Sequence, residues 1–212
     1  MPIRVNDRWT EGAGVKLLGV TEPAPGCWEI DPEHSFLEVS IRHALASRVK
    51  GRLAPLVGTV VVGEAPETSS VVASVPMASL NTGDSRRDEH LVREEYLDVD
   101  RYPQAVFHSS AVRYLGVWRW QVEGHLTLRA VTAPMSLAVS CKNLVEVDGA
   151  QRARLVATAE VTRRSFGLTW NQVLEGGGLL LGPTLSVLAV IEARHVGLTG
   201  ASAALHAGRL SE

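Results

Sequence analysis

The chain has 212 residues, of which 45% are hydrophobic and 21% charged, a balance that excludes a disordered or fibrous protein. A chain of this length buries about 70% of the surface its unfolded form exposes, so it needs no metal or disulfide to fold. Lys+Arg 21 against Asp+Glu 23 leaves a formal net charge of −2, and without a dense basic run the counterion-release drive for binding nucleic acid is missing.

Residues 1–26 are rich in Gly, Pro and Glu, lack sustained periodicity and read as a flexible extension. Their positive charges at Arg4, Arg8 and Lys16 are interrupted by Asp7, Glu11 and Glu22, and the apolar stretch from Val15 to Val20 is too short for a secretory core, so a cytoplasmic location is expected. Period-two alternation then takes over. Ser35 to His43 sets Leu37, Val39, Ile41 and His43 against Phe36, Glu38, Ser40 and Arg42, the pattern of a half-buried strand. Further strands are expected over 58–63 and 69–75. The charged segment from Asp84 to Glu95 breaks the pattern, opening on a Ser85-x-x-Asp88 capping box with Glu89 and Arg93 four apart, and reads as a short helix.

Alternation resumes over 104–114, then 118–128, where Trp118, Trp120, Val122, Gly124, Leu126 and Leu128 share one face. Three more strands follow over 135–147, 152–161 and 185–193, carrying Leu137 and Val139, Leu155 and Ala157, and Ile191 on their apolar faces. Residues 196–212 form a small, polar tail. No apolar run approaches the roughly 20 residues of a membrane helix.

Eight strands, several of them long, predict an all-β fold: an eight-stranded antiparallel barrel, since closure removes unpaired edges, with the helix over it or its mouth. Such a barrel either packs its interior or encloses a small apolar ligand, and small inward residues such as Ala157 favour space without deciding the matter.

The motifs that punctuate the strands are more specific. Trp28-Glu29-Ile30-Asp31-Pro32-Glu33-His34-Ser35 is followed by Val49-Lys50-Gly51-Arg52-Leu53 and Leu80-Asn81-Thr82-Gly83. Then come Arg87-Asp88-Glu89-His90-Leu91, Tyr102-Pro103, Gly124-His125-Leu126-Thr127-Leu128, Val131-Thr132-Ala133-Pro134 and Arg164-Ser165-Phe166-Gly167-Leu168. In this order, from about Cys27 to His195, the chain resembles the YceI-like family of lipid-binding proteins. The resemblance implies a lipocalin-like barrel domain over 27–195 enclosing a long apolar tunnel for a polyisoprenoid, quinone or fatty-acyl lipid, with no cofactor besides that cargo. Ala130 stands where the family usually has Gly, Leu53 where it often has Phe, and many members carry an export leader.

On that reading the expected tunnel wall is Leu37, Val39, Ile41, Leu126, Leu128, Leu137, Val139, Leu155, Ala157 and Ile191, with His43 at its end. Arg87 and His90, three apart on the helix, could meet a polar head group; alternatively Arg87 and Asp88 pin the helix to the neighbouring loop. Trp118 and Trp120 either line the tunnel or pack in the core. His34 is expected to bond neighbouring backbone. His34, His43 and His90 lack metal-ligand spacing, no nucleophile motif is complete, and Cys27 and Cys141 read as unpaired thiols, so neither metal nor catalysis is expected. A metal- or haem-dependent small-barrel enzyme and a ligand-free interaction barrel, alone or as a homodimer, are the competing readings.

Overall fold

In the computed structural model, residues 23–43, 47–171 and 180–197 are described, together with the backbone of 15–17. Eleven strands and one α-helix follow in the order β1 (Val15–Leu17), β2 (Gly26–Ile30), β3 (Phe36–His43), β4 (Ser47–Leu53), β5 (Val57–Val62), β6 (Ser70–Pro76), α1 (Ser85–Leu91), β7 (Gln104–Gly116), β8 (Arg119–Leu128), β9 (Val131–Val147), β10 (Ala150–Thr162) and β11 (Leu181–Gly197). The expected eight-stranded antiparallel barrel with a short helix is present: β9, β8, β7, β6, β5, β2, β11 and β10 pair in turn and β10 returns to β9.

Its membership differs from the alternation pattern. The ring closes through β2, five residues too short to show a period, whereas β3 pairs on β11 and carries β4 beyond it. Within the leading segment expected to be an extension, Val15–Leu17 pairs with β9; residues 1–14, 18–22 and 198–212 lie outside the described set.

Strand β11 has two successive partners on one side. Ala193 to Gly197 face β2 and Leu181 to Val190 face β3, so the ladder is interrupted around Glu192. The turn Asp31–Ser35 fills the interruption. The Asp31 N–H donates to the Glu192 carbonyl (2.7 Å), and the Glu192 N–H donates to the Ser35 hydroxyl (3.0 Å), so both backbone groups of Glu192 keep partners. Its carboxylate takes the Arg154 guanidinium of β10, with Nε 3.1 Å from Oε1, and both side chains are buried. His34 Nδ1 sits 2.9 Å from Asp31 Oδ2 and 4.0 Å from Glu192 Oε2, so its ring bonds a side chain, while its N–H makes the expected backbone bond to the Asp31 carbonyl (3.3 Å). The motif Asp31-Pro32-Glu33-His34-Ser35 is thus a clamp that lets one strand change neighbours.

The interior is divided. At the end reached by β2 and the β7–β8 turn, Trp28, Cys141, Leu144, Ala153 and Ala193 form a packed cluster, with Trp118, Trp120 and Leu155 against it. Both cysteines are buried and free, as expected, and burial pushes the Cys141 thiol up to about 11. At the other end, the seam between β4 and β6 is crossed by the segment preceding α1. Arg52 and Asn81 exchange two backbone hydrogen bonds (2.8 and 2.9 Å), and a Cβ on Gly51 would lie 2.7 Å from Leu80 Cδ1, so the absent side chain lets that segment seat. Gly124 serves β7 likewise: a Cβ there would fall 2.3 Å from the His108 carbonyl and 2.5 Å from the Phe107 ring.

The clamp has a pH signature. Burial pushes the Asp31 carboxyl up, but hydrogen bonds from His34 and the Glu33 N–H and the charges of His34 and Arg152 outweigh it and hold Asp31 below its ordinary value. A folded value below the unfolded one (about 3.9) stabilises the fold above that pH, and the contribution is lost as pH falls through the folded value. Asp31→Asn is expected to lower stability at pH 7 by about 1 kcal/mol, and denaturant titrations should show the gap to wild type closing as pH drops below about 4.

Candidate functional site

The unfilled end encloses a cavity of about 800 Å³ whose wall is overwhelmingly apolar. Each contributing strand supplies alternate residues, because successive side chains point to opposite faces: Leu37, Val39 and Ile41 from β3, Phe107 from β7, Leu126 and Leu128 from β8, Met135 and Leu137 from β9, Ala157 and Val161 from β10, Leu185 to Ile191 from β11. Strand β4 adds Val49, Gly51 and Leu53, and α1 closes the side between β4 and β6 with Arg86, Arg87, His90 and Leu91.

Of the thirteen residues expected at the site, Leu37, Val39, Ile41, His43, Leu126, Leu128, Leu137, Ala157, Ile191, Arg87 and His90 stand in this wall. Val139 and Leu155 do not. Val139 lies opposite Trp120 in the β8–β9 pair, and both pack half-buried against the core rather than lining the cavity. Leu155 stands at a register shift of the β9–β10 ladder, where Lys142 of β9 is the extra residue, and packs against the Trp28 cluster. Sequence parity assigned both inward correctly but could not show that the cavity stops above them. Trp118 packs against the Trp28 cluster, and Trp120 against both that cluster and the larger core.

The helix corrects two expectations. It ends at Leu91 rather than Glu95, and its cap is Asp84, whose carboxylate accepts the Arg87 N–H (3.2 Å), rather than Ser85. Asp88 turns the other way: its carboxylate accepts the Thr82 N–H (3.1 Å) and the Thr82 hydroxyl (2.5 Å). Arg87 closes the same knot, donating from Nε to Thr82 Oγ1 (2.8 Å) and from Nη2 to the Thr82 carbonyl (3.1 Å), with Asp84 Oδ2 at 3.8 Å. Of the two roles open to Arg87, the geometry shows the pin. His90 is exposed beside it, and His43 Nδ1 lies 3.4 Å from the Ser47 hydroxyl.

The segment after β10 was not weighed as a site from sequence, yet it carries the most buried cation near the cavity. Arg163 to Phe166 form one 3-10 turn, ended by Gly167 at a φ of 69°, a left-handed conformation that glycine adopts without strain. The chain then folds back over Arg163, which is 3% exposed. Arg163 Nε donates to the Leu168 carbonyl (2.9 Å) and Nη2 to the Trp170 carbonyl, and its guanidinium stacks 4.6 Å from the Trp170 ring centre. Burial, and then the charge of Arg164, pull the Arg163 pKa down. Phe166, Leu168 and Trp170 stand in the cavity wall. The visible signal was Arg163-Arg164-Ser165-Phe166-Gly167 itself; its burial was not visible.

Among the described residues, Asp31, His34 and Glu192 form the one group of three potential metal ligands. Arg154 already binds Glu192, and Arg152 acts on Asp31, so this cluster carries its own counter-charges and reads as an ion-pair network rather than a cation site.

Residues 28–193 match the model of the YceI-like domain. The chain belongs to the YceI-like family. The UPF0312 proteins SA2479 and SAB2563 of Staphylococcus aureus, strains N315 and bovine RF122, are each 28% identical over 166 residues, covering 76% of this chain and 94% of theirs. Among solved structures, Burkholderia cenocepacia BcnA aligns with a TM-score of 0.65 at 17% identity, over 77% of this chain and 98% of that one. A polyisoprenoid binding domain from Saccharophagus degradans, implicated in plant cell wall breakdown, aligns with 0.57 at 15% identity, over 79% and 98%. The YceI-like barrels share the fold seen here.

The Thr82 knot should be measurable. Asp88→Ala leaves the Thr82 N–H and hydroxyl without their acceptor, so it is expected to destabilise by about 2 kcal/mol and to speed hydrogen exchange of the α1 amides before those of β8 to β10.

Proposed function

We propose that this YceI-like barrel binds one long apolar lipid in the cavity, as a carrier or sequestering protein rather than an enzyme, and that the cargo is an isoprenoid of polyprenyl or quinone type. The observation that carries the reading is the cavity itself: about 800 Å³, apolar, and ended at one side by the packed Trp28 cluster. Empty apolar volume of this size forfeits packing, and cavity cost grows with volume, so a fold that keeps it gains on taking up an apolar guest. Burying ~500 Å² of ligand surface contributes on the order of 12 kcal/mol before ordering and translational losses, enough for micromolar affinity without a strong polar contact. A polyisoprenoid-binding relative of the same fold supports the ligand class.

Native mass spectrometry of freshly purified protein, followed by solvent extraction, tests this. The expected result is a single stoichiometric apolar compound. Protein that is empty and also rejects added quinones and polyprenyl phosphates would overturn the reading in favour of an interaction barrel. Ala157→Phe, which places a ring in the cavity wall beside Ala189, is expected to abolish uptake while the far-ultraviolet circular dichroism stays that of the wild type.

A further inference from the structure

Arg163 is one of two deeply buried arginines among the described residues, and the two differ in what they meet. The other deeply buried guanidinium, Arg154, has the Glu192 carboxylate. Among the described residues Arg163, 3% exposed, has no ion-pair partner; two carbonyls take Nε and Nη2, and Nη1 is buried without a hydrogen-bond partner. The Trp170 indole stacked on it also buries its Nε1–H without an acceptor. Two unsatisfied donors, one on an uncompensated cation, are costly when desolvated. They lie together beside the cavity: Trp170 stands in its wall, as do Phe166 and Leu168 around Arg163. Tyr96 meets the Trp170 ring edge-on at 5.2 Å and fixes its plane.

We infer that Arg163 and Trp170 form the polar end of the lipid site and receive an anionic oxygen head group, a phosphate or a carboxylate, on the apolar chain. The inference rests on the lipid-binding reading and narrows it. A ligand oxygen near the indole would accept from Trp170 Nε1 and Arg163 Nη1 and give the buried guanidinium a counter-charge that the described residues do not supply. The apolar tail would then run down the barrel toward the Trp28 cluster. Arg87, by contrast, donates from Nε and Nη2 to Thr82 and holds Nη1 3.8 Å from the Asp84 carboxylate, so its charge is paired.

The test compares matched pairs that differ only at the head: geranylgeranyl phosphate against geranylgeraniol, and palmitate against hexadecanol, titrated by calorimetry into delipidated full-length protein. Wild type is expected to prefer the anion in at least one pair by ~10-fold or more, the scale of a hydrogen bond to a charged group. Trp170→Phe, which keeps an aromatic ring in the wall and deletes the indole N–H, should shrink that ratio several-fold, the anion losing more affinity than the alcohol. Arg163→Gln should remove the preference; if it does not fold, Trp170→Phe carries the test. The pair that shows the preference identifies the head as phosphate or carboxylate. Equal affinities within both pairs, or a ratio that Trp170→Phe leaves unchanged, would overturn the head-group site while leaving the lipid site standing. If none of the four compounds binds, the lipid reading falls and the head-group site with it.

Discussion

The architecture depends on one local exchange of hydrogen bonds at Glu192. A strand that changes neighbour partway along must leave backbone groups unpaired at the crossing, and buried orphans of that kind are expensive. Here the Asp31 N–H and the Ser35 hydroxyl take over the Glu192 carbonyl and N–H. With that crossing satisfied, β2 can close a narrow ring with β5 at one end while β3 and β4 splay outward at the other. The Arg154–Glu192 pair gives the crossing a single geometry, because breaking a buried pair on one side leaves an uncompensated charge.

From the splay follow both the cavity and its closure. Between β4 and β6 there is no continuous ladder, only the Arg52–Asn81 bridge, so the gap is covered by the segment leading into α1. That cover must be held without a sheet's hydrogen bonds, and the Thr82–Asp88–Arg87 knot supplies a substitute. Small residues mark where the backbone must come close: Gly51 under Leu80, Gly124 under Phe107. The motifs that punctuate the chain are therefore the joints of one mechanism for keeping half a barrel hollow.

The polar residues in and behind the cavity wall divide by what they do for the fold. Arg87 and Asp84 are engaged within the cover, whereas Arg163 is buried against two carbonyls and an indole with donor capacity left over. An apolar wall supplies most of the affinity for a lipid but little discrimination, since burial energy follows area. Discrimination has to come from the few polar atoms that meet the head, which is why the arrangement at Arg163 and Trp170 matters more than its size suggests.

Alternation along the chain was enough for the all-β class, the long strands and the inward parity of Leu37, Val39, Ile41, Leu126 and Ala157, because period two is a property of any strand with one buried face. The ordered motifs were enough for the family. Short β2 was not legible, since five residues do not display a period, and neither was the helix cap, where Asp84 and Ser85 are both competent residues and tertiary contacts to Thr82 decided between them. Val139 and Leu155 have the inward parity of their neighbours yet miss the cavity, because where a hollow ends depends on Trp120 and Trp28 arriving from other strands. The burial of Arg163 is of the same kind: nothing in Arg163-Arg164-Ser165-Phe166-Gly167 distinguishes the first arginine from the second, and only the chain folding back at Gly167 sets one against Trp170 and leaves the other in solvent. Sequence determined which residues face inward; the tertiary structure decided which inward residues meet each other and which meet empty space, because that depends on neighbours distant in the chain.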